Sequence, residues 1–275
     1  MPYADLATAR LYYEVSGPDD GPPLLLIHGL GAQMVMWDPR LVALFEQAGF
    51  RVITFDNRDV GLSSTSSADF ELSDMAADAR DLVKHLGLDQ VHVVGQSLGG
   101  MIAQLVAISY PEIVLSMTSI YSAPNRDFIV DDPEAMRDRQ MEPAESWEEA
   151  VQQFIARERV SGFDGLDESW IRSYAERVIS RDYEREASHH GRLIQMRATI
   201  GAPDRTADLA KLDMPVAVIH GRKDPLISFE GGIATARAVP DAELHVFADM
   251  RHQLRPDLWP DYVRIVQRNA ARVAS

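Results

Sequence analysis

Val91-His92-Val93-Val94-Gly95-Gln96-Ser97-Leu98-Gly99-Gly100 is the stretch on which the reading of this chain turns. A short β-rich run leads straight into a G-x-S-x-G pattern. A helical pattern that opens near Leu98 then continues through Met101 to Tyr110, where Pro111 stops it. An apolar run without alternation reads as a central strand of a parallel sheet buried on both faces. Between strand and helix, Gly95 and Gly99 permit a tight, strained turn that leaves the Ser97 hydroxyl exposed, because side chains there would collide with neighbouring backbone. Gly100 adds further room. The helix behind the turn offers N–H groups and a positive dipole end to a developing oxyanion. The bland explanation is a glycine-rich turn with an incidental serine, and the strand–turn–helix setting argues against it.

Outward from this stretch the chain alternates strands and helices. Leu24-Leu25-Leu26-Ile27 ends in His28-Gly29, and Arg51-Val52-Ile53-Thr54-Phe55 ends at Asp56. Helical patterns cover 37–48 and 73–86, the second opened by Ser73 as N-cap and closed by Gly87. A strand is expected over 114–120. Such alternation implies right-handed βαβ crossovers. From Asp127 to Glu186 the pattern changes, with 17 acidic and 8 basic residues and no apolar strand run. Trp147–Arg159 and Ser169–Ile179 read as amphipathic helices there. Sheet-like runs return at Pro215–Ile219 and Glu243–Phe247, and a last helix covers roughly 257–272. The expected organisation is an α/β core over 1–126 and 206–275 with a helical cap inserted over 127–205. Taken singly, the charges of the insertion read as a solvated helical face.

The 275 residues carry 27 Lys and Arg against 42 Asp and Glu, a net charge of −15, and no cysteine. Thiol catalysis, Cys-ligated zinc and iron–sulfur centres are therefore excluded. The acidic balance argues against nucleic acid and against an anionic membrane surface. No apolar run approaches a membrane span, and the first residues lack a basic region followed by an apolar stretch. The expectation is a cytoplasmic protein needing no metal and no cofactor, monomer or homodimer.

A serine hydroxyl needs a base, most often a neutral imidazole, and eight histidines compete. His92 and His245 sit inside strand patterns and His85 on a helix face. His189 and His190 lie in the acidic insertion, where they read as solvated, and without carboxylates at i+3 or i+4 they make a poor metal site. His28, in His28-Gly29-Leu30-Gly31, reads as shaping a loop rather than removing a proton. His220 ends a strand and is the runner-up. His252 lies after the last strand and before the last helix, beyond the C-terminal edge of the sheet where such folds place chemistry, and is the preferred base. The orienting carboxylate is assigned to Asp224 in Gly221-Arg222-Lys223-Asp224-Pro225, ahead of Asp249, too near His252 along the chain, and of Asp127.

Together His28-Gly29-Leu30-Gly31, Gly95-Gln96-Ser97-Leu98-Gly99, Gly221-Arg222-Lys223-Asp224 and the late His252 resemble the α/β-hydrolase family over essentially the whole chain, with Ser97, Asp224 and His252 in the family's chain order. Phe55-Asp56-Asn57-Arg58-Asp59-Val60-Gly61-Leu62-Ser63 resembles that family's D-x-R-x-x-G-x-S segment. Its D-N-R-D form is similar to the esterase branch of aclacinomycin methylesterase and bacterial carboxylesterases. Where many members have Gly-His at the base, this chain has Arg251-His252.

The resemblance implies an oxyanion hole from the backbone N–H groups of Leu30 and Leu98, with Gly29 and Gly31 letting the first loop approach substrate. Serine at 97 argues against dehalogenase and epoxide-hydrolase chemistry, which need aspartate there. The expected activity is hydrolysis of a small, neutral, apolar carboxylic ester through an acyl-enzyme, with Gly29, Trp37 and Met101 as pocket candidates. Met34 and Met36 share that expectation, although methionines at such spacings are more often plain core. Phe154, Trp170, Ile171 and Tyr174 are expected to roof the site. Perhydrolase (haloperoxidase-like) or C–C bond hydrolase chemistry could use the same three residues. A ligand-binding receptor on a hydrolase scaffold is the alternative from another class.

Overall fold

A computed structural model describes residues 2–66, 68–130, 144–162, 167–181 and 187–273, without the side chains of 187–190, so the reading of His189 and His190 lies outside the described residues. The elements, in chain order, are β1 (Tyr3–Asp5), β2 (Arg10–Ser16), β3 (Pro23–Ile27), α1 (Pro39–Gln47), β4 (Arg51–Phe55), α2 (Leu72–His85), β5 (Val91–Gln96), α3 (Leu98–Ser109) and β6 (Val114–Ile120). There follow α4 (Trp147–Ser161), α5 (Glu168–Ile179), α6 (Ala187–Gly201), β7 (Val216–Gly221), α7 (Phe229–Ala238), β8 (Glu243–Phe247) and α8 (Trp259–Ala270). The eight strands form one sheet in the order β1-β2-β4-β3-β5-β6-β7-β8. β1 and β2 pair antiparallel, as do β2 and β4, and every other neighbouring pair is parallel.

Successive strand residues feed opposite apolar layers, which is why the central strands are buried at nearly every position and mostly apolar. Leu25, Ile27, Ile53, Val93, Met117 and Val218 pack with α2 and α3 on one face. Leu24, Leu26, Val52, Val94, Ile120 and Ile219 pack on the other with Leu41 and Phe45 of α1 and Tyr262 and Val266 of α8. The sequence reading finds the six mutually parallel strands β3 to β8 but not β1 and β2. These carry charged and half-exposed residues such as Arg10, Tyr12 and Glu14, and they lie at the antiparallel end of the sheet. Nor is Ser73 the N-cap of α2. The helix starts a residue earlier, and Glu71 with Asp74 forms a capping box. Gly87 does end it, in the left-handed region at φ 67°.

In the segment between β6 and β7, α4 and α5 build a small apolar cluster of their own from Val151, Phe154, Ile155, Ile171, Tyr174, Ala175, Val178 and Ile179, with Val35 and Met36 of the loop after β3 packed against it. Helix α6 behaves differently, since its Ile194 and Ala198 join the core layer of α2 and α3. Just after α5, Arg181 reaches Asp56 at the end of β4, a 3.0 Å ion pair with a fully buried carboxylate. Asp56 also accepts the Met34 and Leu62 N–H groups at 2.7 and 2.9 Å. No helix among the described residues is long and apolar enough to cross a membrane.

Candidate active site

Strand β5 delivers Ser97 to the first turn of α3 with φ 56° and ψ −122°, a left-handed conformation that a non-glycine residue adopts only when its surroundings enforce it. The enforcement comes from both sides. The Ser97 N–H donates to the Ile120 carbonyl at 2.9 Å, and the Ser122 hydroxyl donates to the Ser97 carbonyl at 2.8 Å. A Cβ at 95 would lie 2.0 Å from the Gly99 oxygen, and one at 99 would lie 2.1 Å from the Ile27 oxygen, so strand, turn and helix close up only with glycine at both positions.

Asp224 and His252 come from the loops after β7 and β8, at the same edge of the sheet. His252 Nε2 lies 2.8 Å from Ser97 Oγ, and His252 Nδ1 lies 2.7 Å from Asp224 Oδ2. A carboxylate only accepts, so Nδ1 carries the hydrogen and Nε2 is free to take the serine proton. Asp224 Oδ1 is fixed by the N–H groups of Leu226 and Ile227 at 2.8 and 3.0 Å. Burial pushes the Asp224 carboxyl up, but electrostatic attraction to His252 and the hydrogen bonds from His220 and His252 outweigh burial and hold it well below the usual carboxylate range. The His252 loop is tied down by α4: the His252 N–H donates to the Ser161 carbonyl at 3.0 Å, and Gln253 Nε2 donates to Glu158 Oε2 at 2.6 Å.

The other candidates are placed as follows. His220 is fully buried, with Nε2 at 3.1 Å from the Ile227 carbonyl and 3.4 Å from Asp224 Oδ2, so it stands behind the carboxylate rather than beside the serine. Asp249 pairs with Lys223 at 2.6 Å on the surface, and Asp127 lies in an exposed turn after β6. Burial pushes the His28 imidazole down to about 3. His28 Nδ1 accepts the Gly29 N–H at 2.7 Å, which folds the loop back on itself. A Cβ on Gly29 would lie 3.2 Å from Ser97 Cβ, so this loop passes directly over the serine. The N–H groups of Leu30 and Leu98 make no hydrogen bond among the described residues. Trp37 and Met101, each 2% exposed, belong to the closed apolar layers on opposite sides of the sheet. Among the described residues no group of three or more His, Asp or Glu side chains could hold a metal ion.

Sequence reasoning passed over two residues that the fold brings to this region. Gln195 of α6, fully buried, accepts the Gly31 N–H at 2.8 Å and donates to the Arg58 carbonyl at 2.9 Å, so it grips the glycine loop from the insertion side. Tyr121, directly after β6, packs its ring on His252. Neither lies in a motif; the one available signal for Tyr121 is its position at the carboxyl end of a central strand.

Comparison with known proteins places this geometry in a family. Residues 22–254 match the family described as alpha/beta hydrolase fold. The chain is 31% identical over 243 residues, 86% of each chain, to a Variovorax paradoxus protein named as a carbamate hydrolase, RutD. Among solved structures it superposes with a TM-score of 0.79 on a meta-cleavage product hydrolase of Pseudomonas fluorescens IP01, at 19% identity over 95% of this chain and 94% of that one. It superposes with a TM-score of 0.77 on the esterase RhEst1 of Rhodococcus sp. ECU1013, at 20% identity over 100% and 99%. The chain belongs to the α/β-hydrolase fold family.

Proposed function

We propose that this hydrolase cleaves a small, neutral carboxylic ester through an acyl-enzyme on Ser97. The observation that carries the reading is the unbroken line Ser97 Oγ, His252, Asp224, joined at 2.8 and 2.7 Å. His252 takes the hydroxyl proton as Ser97 Oγ bonds to the ester carbon, then returns it to the alkoxide as the carbon–oxygen bond breaks. Water repeats the sequence on the acyl-enzyme. Asp224, held ionised, keeps the hydrogen on Nδ1 and stabilises the imidazolium. The N–H groups of Leu30 and Leu98 receive the oxyanion, the second at the positive end of α3. Residues 127–205 act as a cap, and the Phe154 and Trp170 rings, each packed on Tyr174, supply with it an apolar roof.

A carbamate is the second reading, favoured by the name of the 31% identical relative. Its chemistry is the same attack on a carbonyl carbon, with a carbamoyl-enzyme in place of the acyl-enzyme. The decisive experiment treats the protein with a fluorophosphonate and then measures turnover of matched esters and carbamates, with peracid formation assayed alongside. Labelling at Ser97 and faster ester turnover are expected. Turnover of carbamates alone selects the second reading. Peracid formation without ester hydrolysis, or no labelling at all, overturns both.

A further inference from the structure

Tyr121 has a costly conformation and no part in the chemistry described so far. Its backbone lies in the left-handed region at φ 35°, which a bulky side chain adopts only when surrounding contacts impose it. The Tyr121 N–H donates to the Ile219 carbonyl at 2.7 Å. Its ring is 3% exposed and lies 4.5 Å, centroid to centroid, from the His252 imidazole, with the planes inclined at 47°. Its hydroxyl donates to Oε1 of Gln96, the residue immediately before Ser97. The neighbours on either side, Ile120 and Ser122, hold the backbone of Ser97 itself. Three consecutive residues at the end of β6 thus address the nucleophile and its base together.

We propose that Tyr121 is a positioning residue whose ring fixes the plane of the His252 imidazole and stabilises the imidazolium formed when the Ser97 proton reaches Nε2. The proposal rests on the ester-hydrolase reading. In the resting protein the neutral imidazole gains only van der Waals contact from the ring. Once charged, it gains the attraction of an aromatic ring for a cation as well, and a centroid separation of 4.5 Å lies within the range where that attraction is appreciable. Burial removes the water that would otherwise screen it. Because the gain appears only as charge develops, it lowers the barrier without tightening substrate binding, and so belongs in kcat rather than KM. Tyr121 neither gives nor takes a proton in this scheme, since its hydroxyl is committed to Gln96.

Replacing the ring by an aliphatic chain risks disturbing the core, so the test tunes the ring and leaves its shape nearly intact. Tyr121→Phe is the parent, and phenylalanine carrying one, two, three or five fluorines is introduced at 121 by an expanded genetic code. Fluorine withdraws density from the ring face and weakens its attraction for a cation. With an alkyl ester as substrate, kcat is expected to fall stepwise along the series, to about one tenth of the Tyr121→Phe value at the most fluorinated ring, while KM stays within twofold. A merely structural role would not order the variants by ring electronics. A flat kcat series, or a series carried by KM, overturns the role of Tyr121 and leaves the esterase reading intact. An unsubstituted protein that turns over no ester and accepts no fluorophosphonate at Ser97 overturns both, since no imidazolium then forms for Tyr121 to support. Tyr121→Leu, with melting temperature recorded, is expected to lose at least as much kcat as the most fluorinated ring. Full kcat in that variant also sinks the proposal.

Discussion

At Ser97, Asp224 and His252 the proposed roles differ enough to give separable outcomes. Ser97→Ala removes the nucleophile and little volume, so kcat on the best ester is expected to fall about 10³-fold or more with the melting temperature nearly unchanged. Survival of fluorophosphonate labelling in that variant would place the nucleophile elsewhere. His252→Ala should be as severe. Asp224→Asn keeps the shape of the carboxylate, but its amide can donate toward Nδ1 and so favours the wrong tautomer, and a large kcat loss with little change in KM is expected. Asp249→Asn serves as the control, because Asp249 is 70% exposed and bonded to Lys223. Equal damage from both asparagine variants would show the acid to be misassigned. His220→Ala should fall between, since His220 touches Asp224 only at 3.4 Å and has no contact with Ser97 among those described. Chain order and local motifs make these residues legible in the sequence. Tyr121 and Gln195 were not legible, because their roles depend on which segments fold against which.

Strands and helices were legible to the degree that their surroundings are uniform. β3, β4, β5, β6 and β7 are covered on both faces, so burial writes itself into nearly every position. Helix α7 was missed for the opposite reason. Gly231 and Gly232 in its opening turns weaken a helical pattern, yet a Cβ at 232 would lie 2.5 Å from His220 Nδ1, and one at 231 would lie 2.7 Å from the Ala123 Cβ. Close approach to the layer behind Asp224 therefore overrides helix propensity there. Helix α6 has no reading of its own in the sequence, because Ile194 and Ala198 join a core layer that only the tertiary fold assembles. The same reasoning identifies Gly99 as a position that tolerates no side chain. A methyl group at 99 would meet the carbonyls of Ile27 and His28 at 2.1 and 2.7 Å, and backbone cannot step aside without parting β3 from α3. Gly99→Ala is expected to cost roughly 3 kcal/mol or more of stability, the scale of severe overpacking, whereas Gly49→Ala meets nothing within 4 Å and pays only for its φ of 93°. Urea unfolding of both variants checks this, and an unaltered midpoint for Gly99→Ala would mean that the turn is looser than described.

The whole molecule should lose stability in acid in two stages. Burial holds His28 and His92 neutral, pushing them down to about 3 and about 4 from an ordinary value near 6.5. Below pH 6.5 the unfolded chain binds protons at both while the folded one does not. Folding free energy therefore falls as pH drops, by up to about 1.4 kcal/mol per pH unit for each histidine. The contribution is complete above pH 6.5 and is lost on the way down toward pH 4. Asp224, whose folded carboxyl lies below its ordinary range, adds a second loss below about pH 4. Urea midpoints between pH 7 and 4.5 should decline, and His92→Gln should flatten roughly half of that slope. A wild-type midpoint constant across this range would mean that neither imidazole is held neutral.

If the substrate is an ester, as proposed, charge at the scale of the molecule also bears on which esters reach Ser97. The net charge is −15, and the stretch from Asp127 to Glu186 holds −9 of it. Some of that charge stands on α4 and α5. Glu148, Glu149 and Glu168 are exposed on α4 and α5, the first and last paired with Arg172 and Arg159 at 2.7 and 2.5 Å, and Glu158 is bonded to Gln253, the residue next to His252. An ester bearing a carboxylate approaches an unfavourable potential, whereas its neutral twin does not. Two esters of equal size and leaving group, differing by one remote carboxylate, should therefore differ several-fold in kcat/KM at low salt, the neutral one being faster. The gap should narrow as salt shortens the Debye length from about 30 Å at 0.01 M to about 10 Å at 0.1 M. Converting Glu148 and Glu149 to glutamine should narrow it further without altering turnover of the neutral ester, because neither side chain belongs to the Ser97, His252 and Asp224 constellation. If the insertion's charges instead stand far from the entrance and serve only solubility, the pair will be hydrolysed at equal rates at low salt, and charge will have no part in substrate selection.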